Sequence, residues 1–344
     1  MVKSMSSQLS LFTEEQLQAN TATRAGETKL GETVQLVSSL DDLSQSTARF
    51  VLFGIKEDIG IRANLGIGGA TDCWDIAIKA LLNVQSNAFL NGSEIAILGH
   101  LGFEDLLAEA RDLNASNADD LKRLRELTTK IDSHVSETVE AIVGPGKVPI
   151  IIGGGHNNSY GNISGTSKAL GKAINVLNID PHTDFRDMEG RHSGNGFSYA
   201  RHEGYLDKYA VYGLHEGYNG KGIIEKFQSD PKLTFRTFEG LLSKTDSERN
   251  HIFMDILNWC GHDALGLELD LDAITKFPVS ALNPSGFTLN EVRTLVRATA
   301  GLRAPAYFHM CEGSPGRASS QQEKDMLGKS IAYLVTDFVK GYFR

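Results

Sequence analysis

The sequence contains few cysteines and no long apolar run, and these two absences narrow the class of protein. The three cysteines, Cys73, Cys260 and Cys311, lie far apart without CxxC spacing, which is typical of reduced thiols in a cytosolic protein. Lys3 precedes a polar, Ser- and Gln-rich N-terminal stretch, so the pattern of a secretory signal is missing. No segment has the apolar length of a membrane span. We therefore expect a cytoplasmic protein that has no membrane partner.

The sequence also lacks blocks of like charge. Its formal net charge is −9, and its lysines and arginines are not clustered as a nucleic-acid surface requires, so we expect no nucleic-acid partner. The 344 residues are enough to bury a large core, and they would suffice for one large α/β domain or for two smaller ones.

Apolar runs of strand length alternate with helical patterns through most of the chain. Residues 1–46 are polar and irregular, apart from a short helical pattern near 14–18, and we expect them to form an N-terminal arm. Strands are predicted at 49–54, 94–99, 148–153, 174–179, 209–214, 265–271 and 306–310, and helices at 71–82, 118–143, 288–299 and from 321 towards the C-terminus. Apolar strands separated by helices predict a parallel sheet covered on both faces. We therefore predict one α/β domain over 47–344, a three-layer α/β/α fold with a mostly parallel central sheet.

Three side chains of metal-binding type follow the predicted strand 174–179. Asp180, His182 and Asp184 stand at alternate positions, and alternate side chains of an extended segment point to the same side. Burying two carboxylates and an imidazole together is costly unless they are paired or bind a metal. The pattern therefore favours a metal site over a structural polar network, which is the alternative.

Similar side chains follow two other predicted strands. His156 ends a Gly-Gly-Gly-His turn, and Asp270 and Asp272 close the run 265–271. Taken singly, His156 has the ordinary interpretation of a loop histidine, and the two aspartates that of solvent-facing carboxylates. In a parallel sheet, however, the carboxyl ends of the strands share one edge, where ligands bind. Four carboxylates and two imidazoles are too many for one open zinc site, and they suit a pair of hard divalent ions such as Mn²⁺.

The three motifs together resemble the pattern of the ureohydrolase superfamily, which comprises arginases, agmatinases, guanidinobutyrases and formimidoylglutamases. GGGH at 153–156, DPHTD at 180–184 and DLD at 270–272 stand in the order of that pattern, and Glu312 follows the last strand, where the family has a substrate-binding glutamate. The resemblance covers roughly residues 49–340. It implies an arginase-like fold and hydrolysis of a C–N bond in a small amidine or guanidine.

The resemblance implies a role for each matching residue. Two Mn²⁺ or other divalent ions would be held by His156, Asp180, His182, Asp184, Asp270 and Asp272. The ions would ionise a water that attacks the amidine carbon, and the charge of the ions and of carboxylates such as Asp184 would stabilise the tetrahedral intermediate. Glu312 would bind the cationic amidine; the alternative is a surface carboxylate. His192 would deliver a proton to the leaving amine; the alternative is an exposed loop histidine.

Arg186, two residues after Asp184, bears on the choice of substrate. Formimidoylglutamases similarly have a basic residue here, and an arginine can bind the acidic tail of N-formimidoyl-L-glutamate through two hydrogen bonds. The alternative is an ion pair of Arg186 with Asp187 or Glu189. The GGGH form of the first motif also resembles the formimidoylglutamase branch. The expected reaction releases L-glutamate and formamide, a step of histidine breakdown. A guanidine substrate, or a metal-binding protein without hydrolase activity, are the other hypotheses.

Some details depart from the family pattern. Glu268 stands where the family often has a small hydroxyl residue before DxD, and the Asp-Pro that commonly closes this motif is missing. Classical formimidoylglutamases also often lack a histidine at the position of His192. The resemblance further implies a homo-oligomer, either a trimer or a hexamer.

Overall fold

The apolar runs form the strands of one mostly parallel sheet in a computed structural model that describes residues 8–343. The strands are β1 (Leu9–Leu11), β2 (Gln35–Leu36), β3 (Phe50–Lys56), β4 (Ile95–Gly102), β5 (Val148–Ile152), β6 (Ile174–Ile179), β7 (Leu206–Leu214), β8 (Leu233–Thr237), β9 (Leu265–Asp270) and β10 (Tyr307–Cys311). Within the described range they pair in the order β1-β4-β3-β5-β10-β9-β6-β7-β8, and β2 also pairs with β4. The pairing of β1 with β4 is antiparallel, and the other pairings are parallel.

Helices cover both faces of this sheet, as the sequence predicts. They are α1 (Glu14–Asn20), α2 (Ile59–Ala63), α3 (Cys73–Leu82), α4 (Glu104–Ala110), α5 (Ala118–Val143), α6 (Ser159–Leu170), α7 (Gly196–His202), α8 (Lys221–Ser229), α9 (Phe238–Leu242), α10 (Asp246–Cys260), α11 (Leu289–Arg303) and α12 (Gln321–Tyr342). Alternate residues of β3 point to opposite faces: Phe50 and Leu52 join the apolar cluster that contains α3, α11 and α12, whereas Val51 and Phe53 join the cluster that contains α5 and α7. The three-layer α/β/α prediction is confirmed. Between residues 8 and 343, no helix combines the length and apolar character that crossing a membrane requires.

The longest helix, α5, has the bounds that the sequence predicts. The Asn117 side chain accepts hydrogen bonds from the backbone N–H groups of Asp119 and Asp120, which would otherwise lack partners at the first turn. One side of the helix is buried against the sheet and α6 through residues at three- and four-residue spacing: Leu124, Leu127, Ile131, Val135, Val139 and Ile142.

The prediction of an irregular arm over residues 1–46 is wrong for the part that the structure describes, which begins at residue 8. β1 and β2 both pair with β4, so this segment extends the sheet. The predicted short helix is present as α1, and Thr13 caps its N-terminus. Phe12 and Leu30 are buried in the apolar core. The pattern did not reveal these strands because they contain three and two residues, which is too short for alternation to show.

The order of the strands explains where the functional residues meet. β5, β10, β9 and β6 are neighbours at the centre of the sheet, and all four run parallel. His156 follows β5, Asp180 follows β6, Asp270 ends β9, and Glu312 follows β10. The motifs that stand far apart in the sequence therefore converge on one edge, beyond the carboxyl ends of adjacent strands.

Candidate metal centre

A tight glycine turn after β5 presents His156. Gly154 has a φ angle of 69°, in the left-handed region that favours glycine. A Cβ atom on Gly154 would lie 2.3 Å from Asn158 Nδ2, so the turn also requires the absence of a side chain. The buried carboxylate of Glu57 accepts a hydrogen bond from the Gly155 backbone N–H at 2.9 Å. Glu57, which follows the neighbouring strand β3, thus holds the turn in place.

The imidazole of His156 faces three carboxylates. Its Nδ1 lies 2.7 Å from Asp184 Oδ2, 3.2 Å from Asp180 Oδ2 and 3.4 Å from Asp270 Oδ2. His156 is fully buried, and neither of its ring nitrogens has a hydrogen bond of good geometry with the residues that the structure describes. A buried polar nitrogen without such a bond is costly. We call these four residues the first ligand group, and their arrangement fits a shared cation.

A second ligand group shares Asp180 with the first and also contains His182 and Asp272. His182 Nδ1 lies 3.1 Å from Asp272 Oδ2 and 3.5 Å from Asp180 Oδ1. Asp180 therefore directs one oxygen to each group, and within each group the ligand atoms lie within 4.8 Å of one another. The structure thus brings together all of the predicted metal ligands: His156, Asp180, His182, Asp184, Asp270 and Asp272.

The buried carboxylates repel one another in the absence of a cation. Burial, and then the carboxylates of Asp272 and Asp180, raise the pKa of Asp270 well above its ordinary value. Burial likewise raises the pKa of Asp272, to about 6. A divalent cation would remove this repulsion and keep the carboxylates ionised. Burial also raises the pKa of the nearby Cys311 thiol, which makes its sulfur a poor ligand, and the remaining oxygen and nitrogen donors fit Mn²⁺.

Glu312 lies beside the ligand groups in a constrained conformation. Its φ angle is 63° and that of Asp184 is 44°, both in the left-handed region that residues other than glycine rarely adopt. The Oε1 atom of Glu312 accepts a hydrogen bond from the His156 backbone N–H at 2.9 Å. Burial, and then the charge of Asp270, raise the pKa of Glu312 well above its ordinary value. Glu312 is therefore a fixed and buried group, and the alternative of a surface carboxylate is wrong.

A cleft with a volume of about 490 Å³ opens over the ligand groups, and both Glu312 and Arg186 line it. The Arg186 side chain is 52% exposed, and its guanidinium donates a hydrogen bond to Asn64 Oδ1 at 3.2 Å. Glu189 Oε1 lies 3.7 Å from Arg186 Nη2, which is one of the ion pairs considered as an alternative. An exposed pair at this distance is weak, so the arginine is available to a bound molecule.

The structure does not bring His192 together with the ligand groups. The side chain is buried, and His192 is not part of the cleft lining within the described chain. Its Nδ1 accepts a hydrogen bond from the Gly194 backbone N–H at 3.1 Å, and its Nε2 lies 3.3 Å from Glu189 Oε1. Burial, and then the charges of three nearby arginines, lower the pKa of His192 to about 3. This burial contradicts the alternative of an exposed loop histidine, and the proton shuttle stays a prediction.

Sequence reasoning gave no role to two residues that lie at the site. Tyr218 lines the cleft and stacks on the ring of His182, with the ring centroids 5.4 Å apart and an angle of 17° between the planes. Glu268 is buried within β9, and its Oε2 lies 3.5 Å from His156 Nε2. The sequence contains no signal for Tyr218. A glutamate between apolar strand residues does signal a buried partner, because an unpaired buried charge is costly.

Fold and site together define a class of protein. A three-layer α/β/α fold carries two overlapping groups of candidate metal ligands at the carboxyl ends of its central parallel strands, beneath a cleft. This combination is that of an α/β protein whose candidate metal ligands come from several strand ends.

Comparison with known proteins gives the family. The sequence model of the arginase family matches residues 88–336, which is well over half of the chain. The chain belongs to the arginase family, as its motifs predict. A formimidoylglutamase of Geobacillus sp. (strain WCH70) is 27% identical over 278 residues, which cover 79% of this chain and 78% of that relative.

Solved structures of the same fold are also similar. The structure of formimidoylglutamase from Bacillus subtilis subsp. subtilis str. 168 matches with a TM-score of 0.74 and 18% identity, covering 93% of this chain and 94% of that one. The structure of Trypanosoma cruzi formiminoglutamase with Mn²⁺ matches with a TM-score of 0.69 and 17% identity, covering 92% and 98% of the two chains. At these identities the similarity shows the fold.

Proposed function

We propose that the protein is a binuclear manganese hydrolase that cleaves a C–N bond of a linear amidine. Its substrate is N-formimidoyl-L-glutamate, and its products are L-glutamate and formamide. Two overlapping ligand groups that share Asp180, beneath a cleft with Arg186 in its lining, carry this proposal. The similarity to a formimidoylglutamase over most of both chains supports the substrate.

The two ligand groups would each hold one Mn²⁺ ion, and Asp180 belongs to both groups. When bound, the ions supply Lewis acidity and lower the pKa of water towards neutrality. Asp184 and Asp270 would hold one ion together with His156. Their negative charge would also partly neutralise the positive charge of the ions.

Glu312 would bind the amidine end of the substrate. The hydrogen bond from the His156 backbone fixes the carboxylate, so its position is set before the substrate arrives. A cationic amidine presents N–H donors, and hydrogen bonds between ionised partners are about twice as strong as neutral ones. Because burial raises the pKa of Glu312, a bound cation would also favour the ionised form of this carboxyl group.

Arg186 would bind the acidic end of the substrate. Its planar guanidinium can donate two parallel hydrogen bonds to one carboxylate. Its half-exposed side chain lines the same cleft as Glu312, so the cleft offers a negative group to the amidine and a positive group to the tail. This charge pattern fits a substrate that is cationic at one end and anionic at the other.

We further propose that the protein acts in the cytoplasm, where hydrolysis of N-formimidoyl-L-glutamate is a step of histidine breakdown. The protein is proposed to act as a homo-oligomer, either a trimer or a hexamer, which analytical ultracentrifugation would test.

The substrate is tested with a hydrolysis assay on Mn²⁺-loaded protein. The panel contains N-formimidoyl-L-glutamate, arginine, agmatine and 4-guanidinobutyrate, and the assay detects formamide or urea. We expect formamide from the first compound and no urea from the others. Changing Arg186 to Gln should lower kcat/KM for N-formimidoyl-L-glutamate roughly tenfold, because a half-exposed charged hydrogen bond is worth about 1.5 kcal/mol.

Arg123→Gln is the matched control for Arg186→Gln. Arg123 is also an exposed arginine that is ion-paired to a glutamate, but it lies on α5 and not in the cleft. We expect this control to keep the wild-type kcat/KM. Urea release from a guanidine without formamide release would overturn the proposed substrate. The absence of turnover on the whole panel, with two ions bound, would overturn the proposed activity.

A further inference from the structure

Glu268 is a fully buried carboxylate in the middle of an apolar strand. It stands between Leu267 and Leu269 in β9, where a charge without partners would be costly. Polar side chains from other elements surround it. The Tyr307 hydroxyl donates to Glu268 Oε1 at 2.8 Å, and Asn162 Nδ2 donates to the same oxygen at 3.4 Å.

The register of the sheet pairs Glu268 with a histidine. β9 and β10 run parallel, and His309 is the direct partner of Glu268 in the pairing of these strands. His309 Nδ1 lies 2.6 Å from Glu268 Oε2, and His309 Nε2 lies 3.2 Å from the carbonyl oxygen of Gly153. Gly153 begins the turn that presents His156. The buried pair therefore touches both ends of that turn, its first carbonyl and its histidine.

The same oxygen of Glu268 that contacts His309 also faces His156. Glu268 Oε2 lies 3.5 Å from His156 Nε2, on the opposite side of the ring from the carboxylates that approach Nδ1. A neutral histidine that donates from Nε2 keeps a free lone pair on Nδ1, which is the form that binds a metal. A carboxylate behind a ligating histidine also fixes the ring orientation and makes the nitrogen a better ligand.

We propose that Glu268, held by its strand partner His309, is the positioning residue that fixes His156 for metal binding through Nδ1. This role rests on the proposed metal site and not on the proposed substrate. It also gives a reason for a charged residue at a position where the family pattern often has a small hydroxyl residue, since the chain carries its own partner for that charge in His309.

Metal binding by Glu268→Gln tests this role. We expect the variant to bind the ion of the first ligand group about 10- to 100-fold more weakly, the usual effect of removing a residue that supports a ligating histidine. The second ligand group, which does not contain His156, should keep its ion. Manganese per chain after desalting should therefore fall from two to one, and the electron paramagnetic resonance spectrum should change from that of a coupled pair to that of an isolated Mn²⁺ ion.

Asp337→Asn is the matched control. Asp337 is also a buried carboxylate, and it is ion-paired to Arg293 at 2.6 Å between α11 and α12, outside both ligand groups. This control should destabilise the fold as a broken buried pair does, yet keep two coupled ions. A Glu268→Gln variant that binds two ions with wild-type affinities would overturn the inference alone. Wild-type protein that binds no manganese would overturn both the inference and the proposed function.

A measurement on the wild-type chain keeps the inference testable if Glu268→Gln does not fold. Nuclear magnetic resonance of protein with ¹⁵N-labelled histidine, loaded with Mg²⁺ as a diamagnetic ion, reports which ring nitrogen carries the proton. We expect His156 to carry it on Nε2, with slow exchange against water because this nitrogen is buried and faces Glu268 Oε2. A proton on Nδ1, or a rapidly exchanging Nε2–H, would overturn the inference.

Discussion

Asp180 should matter more for metal binding than any other ligand, because it alone belongs to both ligand groups within the described chain. We compare Asp180→Asn with Asp272→Asn, which affects only the second group. Each change keeps the size of the side chain and removes the carboxylate charge. Asp180→Asn should lose tight binding of both ions, whereas Asp272→Asn should keep the ion of the first group.

The size of the effect follows from mass action. An ion present at about 100 times its Kd stabilises the folded chain by about 2.7 kcal/mol, so two ions contribute about 5 kcal/mol. At roughly 2 °C for each kcal/mol in a chain of this length, each ion should raise Tm by about 5 °C. Saturating Mn²⁺ should thus raise the wild-type Tm by about 10 °C, that of Asp272→Asn by about half as much, and that of Asp180→Asn hardly at all.

Without metal, the Asp272→Asn variant should be more stable than the wild-type protein. Burial raises the folded pKa of Asp272 to about 6, above its value in the unfolded chain. The stability that depends on this group is fully present below the unfolded pKa of about 4 and is lost as the pH rises through the folded pKa of about 6. Asparagine removes this penalty, so in EDTA at pH 8 the variant should have the higher Tm. A gain in metal-free stability together with a loss of metal response could not arise from general damage to the fold.

The assay is thermal unfolding in EDTA and in MnCl₂, together with manganese content by mass spectrometry after desalting. Equal losses of manganese in Asp180→Asn and Asp272→Asn would refute the shared-ligand geometry. So would a wild-type protein that binds a single ion and is affected equally by substitutions in either group.

Three further changes have defined outcomes. Glu312→Gln should lower kcat/KM roughly 10- to 100-fold, because a charged hydrogen bond is worth about 1.5–3 kcal/mol, while manganese content measured after desalting stays at the wild-type value. His192→Asn should flatten the pH dependence of metal-free stability. Because the folded pKa of His192 is about 3, this histidine stays neutral in the folded wild-type chain at pH values where it binds a proton in the unfolded chain. The free energy of unfolding is therefore highest above about pH 6.5 and falls by up to about 1.4 kcal/mol per pH unit below it. Urea unfolding at several pH values would measure this loss. Asn117→Ala should lower stability by about 1 kcal/mol, visible as a lower Tm, because α5 loses its N-terminal cap.

Each of these outcomes can fail in a specific way. Loss of manganese from Glu312→Gln would mean that Glu312 supports the ligand groups rather than the substrate. An unchanged pH dependence in His192→Asn would mean that Glu189, 3.3 Å from the ring, offsets the arginines. An unchanged Tm in Asn117→Ala would mean that water satisfies the first turn of α5.

The central strands of the sheet could be predicted from the sequence, whereas strands at its two ends could not. Central strands such as β5 and β6 are buried on both faces, so their residues form mostly apolar runs. β8, with the sequence LTFRT, is largely half-buried at the end of the sheet and lacks such a run. The order of the strands in the sheet also cannot be predicted from any local sequence pattern, because it depends on which surfaces pack together after the helices form.

The candidate site divides in the same way. The convergence of the predicted metal ligands could be foreseen because each lies at the end of a strand or a few residues beyond it, and strand ends of a parallel sheet share one edge. The sequence could not predict that Asp180 belongs to both ligand groups, since this depends on the orientation of its two carboxylate oxygens. The burial of His192 could not be predicted either, because residues 185–192 form a loop whose path depends on hydrogen bonds such as that from the Gly194 backbone N–H to His192 Nδ1.

The left-handed backbone at Asp184 and Glu312 has a consequence for how this chain can evolve. Such conformations cost about 1–3 kcal/mol for most residues, whereas glycine adopts them without strain. Relief of this strain would therefore favour glycine at both positions, whereas the proposed ion and substrate binding would favour the carboxylates. A mutant library of this chain sorted for heat resistance should thus become enriched in glycine at these two positions, while one sorted for activity should keep Asp and Glu. The residues found at these two positions would therefore distinguish selection for stability from selection for activity.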